Sequence, residues 1–486
     1  MGIAAATPPG LPACADTIRD KGALRFFLSR DRGDAYPNCR EEVVFMDAEQ
    51  SDPRFMRKVV AASFVGALLE WYDFFLYGTA SALVFNRLFF SSLDPNAGLL
   101  ASFATFGAGF VARPLGGVIC GHYGDKLGRK NVLVITLIIM GIGTFCVGCL
   151  PTYETAGLWA PGLLVFLRLL QGIGLGGEYG GAALITIEHA PRRQRGFWGA
   201  FPQSAVSAGI LLATGVFALC SRLPDDQFLS WGWRLPFLLS LGLLVVGMYI
   251  RLNIGETPAF QKMKDRKKEA GVPLFELLRR YPKTVLVALG ARLGETVSSN
   301  ILNAFGIAYV SNNLGLSKTD ALIGIFIASA IGIFACPVYG YVSDRIGRRP
   351  IYLIGASFLV LFAFPFFMML NSKSLGLIWL AIVLGYTFGP TMMFSVQGVF
   401  FSELFGTNVR YSGLSVAYQF SAILGGFTPL IATVLQEAGH GQPWYVAGFL
   451  MAIAIMSLGC TLLVGETYKT DVSEREDLLA EGSCVK

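Results

Sequence analysis

Glu70 and Asp73 are the only charged residues between Lys58 and Arg87. Counted at about 1.5 Å per residue from Lys58, they would lie roughly 18 and 22 Å along a helix. At i and i+3 they share a face. An ionised carboxylate at bilayer depth costs ~2.5–3.5 kcal/mol on insertion scales, so such acids face a cavity or a partner. Two uses fit. The pair can load and release a proton, or it can be a buried structural pair satisfied by arginine or tyrosine. Tyr77, one turn beyond Asp73, is a candidate substrate contact.

The cations that could answer these acids stand in similar surroundings. Arg113 lies in Phe110-Val111-Ala112-Arg113-Pro114-Leu115-Gly116-Gly117. A guanidinium there can bind a substrate carboxylate bidentately, or it can neutralise Asp73 or Glu70. Arg168, Gln171 and Glu178 fall within one half of a helical wheel, in a glycine-rich stretch whose glycines suit close helix packing. Arg168 and Glu178 are candidates for proton coupling, and Gln171 for substrate contact. Arg292 and Glu295, again at i and i+3, can bind substrate or neutralise each other. Tyr386, Gln397, Tyr418 and Gln419 are further polar groups that could line a cavity, with core packing as the alternative. His122, His189 and His440 are scattered over loops and suggest no metal site. Cys146 and Cys149 form a C-x-x-C inside an apolar run, where small apolar packing is the simpler role.

The elements that would hold these groups are legible from composition. Of 486 residues 53% are hydrophobic and only 15% charged, with a mean hydropathy of +0.55. Runs of about 20 apolar residues each span a hydrocarbon core of roughly 30 Å as helices. Twelve occur, at about 58–84, 97–121, 131–150, 161–188, 196–219, 232–253, 284–311, 319–341, 350–370, 376–402, 410–436 and 444–465. The net charge of +6 does not imply nucleic acid, because the cations gather in alternate loops. Lys126, Arg129, Lys130, Arg192, Arg193, Arg195, Arg345, Arg348, Arg349 and Arg410 mark one face. The basic segment 254–283 lies on that face too. This asymmetry predicts that these loops and both termini are cytoplasmic. The expected division is a tail over 1–57, a six-helix bundle over 58–253, the basic loop over 254–283, a second bundle over 284–465 and a tail over 466–486. Residues 1–53 carry neither a signal peptide nor a spanning run. Met46 is the expected true start, which would make the first 45 residues an artefact of gene calling.

The chain repeats itself. Gly121-His122-Tyr123-Gly124-Asp125-Lys126-Leu127-Gly128-Arg129-Lys130 returns as Gly340-Tyr341-Val342-Ser343-Asp344-Arg345-Ile346-Gly347-Arg348-Arg349, with the two aspartates 219 residues apart. Each copy must leave one span and begin the next. Glycines permit the tight backbone, cations mark the cytoplasmic side, and the aspartate can cap or pair locally. Gly121, Asp125, Lys126, Gly128, Arg129 and Lys130, with Gly340, Asp344, Arg345, Gly347, Arg348 and Arg349, are therefore candidate gating residues. Glu188 and Arg195 echo as Glu403 and Arg410, Gly255-Glu256-Thr257 echoes as Gly465-Glu466-Thr467, and Glu70 aligns with Glu295 at an offset of 225. Such an offset indicates a duplicated half-protein.

These loops resemble the signature of the major facilitator superfamily. The set E-W-Y-D-F-F-L-Y-G, F-x-x-R-P-L-G-G, G-H-Y-G-D-K-L-G-R-K, L-R-L-L-Q-G-I-G-L-G-G-E and S-W-G-W-R-L-P-F is similar to its metabolite:proton symporter family, over about residues 52–470. The resemblance implies an all-α membrane protein with twelve transmembrane helices in two pseudo-symmetric six-helix bundles. It implies proton-coupled uptake of a small organic acid by alternating access, in a bacterial inner membrane, with the proton as coupling ion and no other cofactor. In R-x-x-Q-G the arginine, here Arg168, is associated with proton coupling. The stretch 467–486 shows no sustained heptads, unlike the C-terminal coiled coil of some proline/betaine members. No G-x-x-x-x-G-K-[ST] loop supplies ATP binding, and no clustered catalytic constellation suggests an enzyme. The expected partners are a carboxylate-bearing small molecule and the lipid bilayer, with a monomer sufficient for the fold. A uniporter or exporter of organic acids, or a betaine-type zwitterion symporter, are the alternatives.

Overall fold

The structure is a computed structural model that describes residues 53–127, 129–176, 186–187, 190–253, 279, 281–405 and 410–467. Twelve long helices run through them. In the first half these are α1 Pro53–Leu83, α2 Pro95–Leu127, α3 Arg129–Cys149, α4 Trp159–Gly176, α5 Arg195–Cys220 and α6 Leu235–Asn253. In the second they are α7 Pro282–Asn300 with its continuation to residue 313, α8 Lys318–Ile346, α9 Arg348–Asn371, α10 Leu375–Tyr386 with its continuation to residue 402, α11 Arg410–Ala438 and α12 Trp444–Leu463. Each expected run has its helix. Of the fourth run, only residues up to Gly176 and the pair 186–187 are described.

Among the described residues, nine helices are long and apolar enough to cross a membrane by length and composition. The other three are α1, α3 and α7. In α3 the apolar stretch is only Val134–Cys149. In α1 and α7 the deficit is chemical, because these helices carry Glu70, Asp73, Arg292 and Glu295 among buried residues. The exterior is apolar instead. Trp159, Phe334 and Leu361 are each more than 75% exposed, whereas Arg113, Arg168 and Arg292 are 4% exposed or less. That inversion suits a bilayer as surrounding solvent, with polar groups turned into the bundle.

The duplication is visible in the packing. Within the first half α1 packs on α5, α2 on α4 and α3 on α6; within the second α7 packs on α11, α8 on α10 and α9 on α12. The halves meet through the related pairs α5–α8 and α2–α11. Small residues permit these approaches. A Cβ on Gly172 or Gly176 of α4 would run into the α2 backbone at Gly109 and Arg113. A Cβ on Gly196 would lie 2.5 Å from the carbonyl oxygen of Gly340.

Two helices depart from regular geometry, and both face the centre. α7 passes through π-helical segments at Ile301–Phe305 and Tyr309–Asn313. α10 does so at Thr387–Thr391, where Gly389 leaves the helical region (φ −92°, ψ −105°) ahead of Pro390. Pro390 has no N–H to donate, and the wider turn absorbs the break. The register change turns Tyr386 and Thr391 toward one polar cavity.

Candidate functional site

The residues singled out in the sequence fall into three groups. The first is a charged cluster within the first half. Asp73 on α1 is buried against Thr144 of α3 and Arg168 of α4. Gln171, one turn beyond Arg168, donates to the Thr144 hydroxyl at 2.8 Å, and that hydroxyl donates to the carbonyl of Met140 at 3.0 Å. The guanidinium of Arg168 sits 4.3 Å above the Tyr77 ring and 5.0 Å from that of Phe106, and its Nε donates to the carbonyl of Phe106 at 3.4 Å. Tyr77 donates to Thr105 at 3.0 Å. Aromatic faces thus stand in for water around this cation. Tyr77 holds Arg168 rather than lining either central cavity, because its face of α1 turns toward α2 and α4.

The second group surrounds a cavity between the halves. Arg113 of α2 and Arg292 and Glu295 of α7 line it, inside aromatic walls made by Trp71, Phe74, Phe75, Phe110, Phe394 and Tyr418. Arg113 lies over Phe110 at 4.2 Å and over Phe74 at 5.1 Å, and among the described residues its buried Nη2 has no hydrogen-bond partner. Glu70 is buried within electrostatic reach of Arg113. Across the cavity Arg292 rests 3.6 Å from the Tyr418 ring, donates to the Tyr418 carbonyl at 2.7 Å, and donates to the Ser421 hydroxyl. Its contact with Glu295 is long, at 4.0 Å, and among the described residues Glu295 Oε2 has no hydrogen-bond partner. Glu295 also borders a second cavity, with Gln203, Ser207, Ser299, Tyr386 and Thr391 around it. Each cavity offers ≈ 20 Å³, about one water. The halves are therefore drawn together around the site.

The third group closes the end that bears the duplicated loops. Asp344 accepts from the backbone N–H groups of Gly196 and Phe197, both at 2.8 Å, and so caps α5 across the boundary between halves. The positive end of that helix favours the anion. Arg348 pairs with the same carboxylate at 2.7 Å and approaches Glu403 at 3.9 Å. Glu466, just past α12, accepts from the first N–H groups of α9 at Arg348 and Arg349, at 3.0 and 3.2 Å. Thr467 donates to Glu403 at 2.5 Å, and Arg349 reaches the Leu462 carbonyl at 2.8 Å. Gly347 makes the loop possible at φ +109°, a conformation disfavoured for other residues. Arg345 bonds the Tyr341 hydroxyl. At the opposite end Lys318 meets Asp225 at 3.3 Å, and Ser221 meets Thr319 at 3.1 Å.

Of the first loop copy, Gly128 lies outside the described residues, as do the side chains of Asp125, Lys126, Arg129 and Lys130 and the surroundings of Gly121. Glu178 lies outside them too. Tyr386 and Tyr418 line cavities, whereas Gln419 donates to the Gly176 carbonyl at 3.0 Å and bridges α11 to α4. Sequence reasoning gave no role to Thr144, Gly196, Ser421, Glu466 or Thr467. For Glu466 and Thr467 a signal existed, since Gly-Glu-Thr closes both halves of the chain. Thr144 and Ser421 had none, being ordinary hydroxyl residues in apolar helices.

Comparison with known proteins agrees with this architecture. The family described as sugar (and other) transporter matches residues 58–296 and 272–478. The shikimate transporter of Escherichia coli (strain K12) is 41% identical over 418 residues, covering 85% of this chain and 95% of that one. The proline/betaine transporter of the same strain is 35% identical over 467 residues, covering 90% and 91%. Among solved structures, a partially occluded inward-open conformation of the xylose transporter from E. coli superposes with a TM-score of 0.68 at 18% identity, covering 86% of this chain and 100% of that one. At that identity the likeness is one of fold.

Proposed function

Since the chain belongs to the sugar (and other) transporter family, within the major facilitator superfamily, we propose that it is a proton-coupled symporter taking up a small carboxylate-bearing metabolite. One observation carries the substrate class. Arg113 from the first half and Arg292 from the second line one buried cavity between the halves. Two guanidiniums facing a common space can clamp a carboxylate, with the aromatic walls excluding water and strengthening the charge interaction. The relative that transports shikimate supports an organic acid.

The residues divide the work. Asp73, set against Arg168 and Thr144, carries the coupling proton, with Glu70 as the second acid of α1. When Asp73 is neutral Arg168 is released from it, and the α1–α2–α4 contact repacks. Arg113, held by two aromatic faces and with one nitrogen unpartnered among the described residues, receives the substrate carboxylate. Closing the halves around the loaded site then requires the Asp344 latch to open and the Lys318–Asp225 end to shut, or the reverse. The basic loops face the cytoplasm, both termini lie there, and one copy of the chain in the inner membrane suffices.

A zwitterion is the second reading, favoured by the rings of Trp71 and Phe394, which meet edge-on at 6.0 Å beside Glu295. Such faces suit a quaternary ammonium, and a proline/betaine transporter is among the relatives. Proteoliposomes given an acid-outside step decide between them. Radiolabelled shikimate should accumulate and be displaced by other carboxylates, but not by shikimate methyl ester. Equal displacement by the ester would remove the carboxylate clamp; accumulation of glycine betaine alone would establish the zwitterion.

A further inference from the structure

Among the described residues, Glu295 differs from the other acids at the centre. It forms part of the wall of both central cavities, one flanked by guanidiniums and one by hydroxyls and amides. It is 6% exposed, and its Oε2 has no hydrogen-bond partner among the described residues. Arg292 stands 4.0 Å away and is already engaged by the Tyr418 carbonyl and Ser421. Among the described residues, the charged and titratable groups that face Glu295 are Arg292 on its own helix, Arg113 on α2, Tyr386 on α10, Tyr418 on α11 and Cys336 on α8. On its other side the space bounded by Ser207, Ser299, Tyr386 and Thr391 fits about one water with several polar partners.

We propose that Glu295 is a second proton-carrying acid, located in the substrate site itself. The proposal rests on the symport reading above and adds the number of protons. An ionised Glu295 and a substrate carboxylate compete for Arg292. A proton delivered through the polar cavity to a Glu295 oxygen ends that competition and turns Arg292 toward Arg113 and the substrate. On the inner side the substrate leaves, the proton leaves Glu295 by the same polar route, and the Arg292–Glu295 contact re-forms.

Charge counting makes this measurable. Among the described residues the empty centre holds Arg113, Arg168 and Arg292 against Glu70, Asp73 and Glu295, a balanced set when all six are ionised. A monoanion loaded with protons on both Asp73 and Glu295 gives a net charge of +1. An inside-negative potential then pulls the loaded carrier inward and leaves the return of the empty one unaffected. With a proton on Asp73 alone, uptake of a monoanion would be electroneutral.

The test uses the wild-type protein in proteoliposomes, with equal pH on both sides and an inside-negative potassium diffusion potential. Shikimate, a monoanion at neutral pH, should accumulate about tenfold per 59 mV. A pH gradient alone should give about a hundredfold per unit, each proton supplying a factor of ten. Glu295→Gln should lose the potential response, keep about tenfold per pH unit, and still exchange labelled for unlabelled shikimate. Glu295→Asp, which retains the acid, should keep the potential response and guards against a glutamine variant that does not fold. If the substrate is glycine betaine, the same comparison should read about a hundredfold against tenfold per 59 mV. Wild-type accumulation driven by the pH gradient but not by the potential would overturn the second proton and leave the symport reading intact. A full potential response in Glu295→Gln would overturn it as well. Failure of both gradients to drive either compound would remove the symport reading, and this inference with it.

Discussion

Asp344 and Glu295 are both buried carboxylates with an arginine on the same helix or the turn beyond it, yet their circumstances are opposite. Asp344 accepts two backbone N–H groups at 2.8 Å and an arginine at 2.7 Å. Glu295 has its arginine at 4.0 Å and one oxygen without a hydrogen bond among the described residues. A saturated carboxylate holds structure, because every group that would solvate it is already in place. An under-satisfied one is poised to change partner or protonation state. On the proposed reading the first kind serves as a latch at the loop end and the second kind as a working group at the centre.

Substitutions should separate the two regions by size and by kind of effect. Arg113→Gln and Arg292→Gln strike the centre hardest. Truncating one member of a buried charge pair costs about 2–5 kcal/mol, roughly thirtyfold or more in affinity. Binding measured by calorimetry in detergent should weaken for shikimate by at least that factor, while the fold, read by melting, stays close to wild type. Unchanged affinity in both would break the assignment of the centre as the anion site.

Asp344→Asn should act on conformation rather than affinity. It removes charge-assisted bonds worth about 1.5–3 kcal/mol, so the loop end should open roughly ten- to a hundredfold more often. Thiol labelling of a cysteine placed behind the α5–α8 contact reports this directly. Faster labelling with unaltered affinity in the loop-end-open state sharpens the comparison; unaltered labelling breaks it.

The smallest effect belongs to Lys318→Ala. Its aspartate partner is 75% exposed, and pairs of that kind contribute about 0–1 kcal/mol. Transport should change by less than about fivefold, and less still at high salt. A larger loss would mean that the end opposite the duplicated loops is latched as firmly as the loop end.

Much of this was readable in the chain. The twelve spans follow from apolar runs bounded by charged loops, and the duplication follows from two copies of one decapeptide. Arg113, Arg168, Arg292, Glu70, Asp73 and Glu295 announce themselves because charge is rare in these helices. Their partners do not. Asp344 caps an N–H pair 147 and 148 residues upstream, and backbone donors leave no trace in residue type. The packing of Tyr77 beneath Arg168 was equally hidden. In a helix buried on nearly every side, hydrophobic periodicity cannot say which face meets the cavity. Gly389-Pro390 hinted at the break in α10, but the π-helical turns of α7 had no comparable mark. The Gly-Glu-Thr repeat was visible as a repeat, and only the Glu466 contacts with the start of α9 gave it a purpose.

On the proposed reading substrate and protons cross together, the substrate between the halves and the protons on Asp73 and Glu295. The most direct measurement is lumenal pH in proteoliposomes with no imposed gradient, after shikimate is added outside. Wild type should acidify the lumen as labelled shikimate enters, and Asp73→Asn should admit the label with only the weaker acidification that the Glu295 proton supplies. Labelled shikimate equilibrating through the wild type with no change in lumenal pH would contradict proton coupling and leave a uniporter.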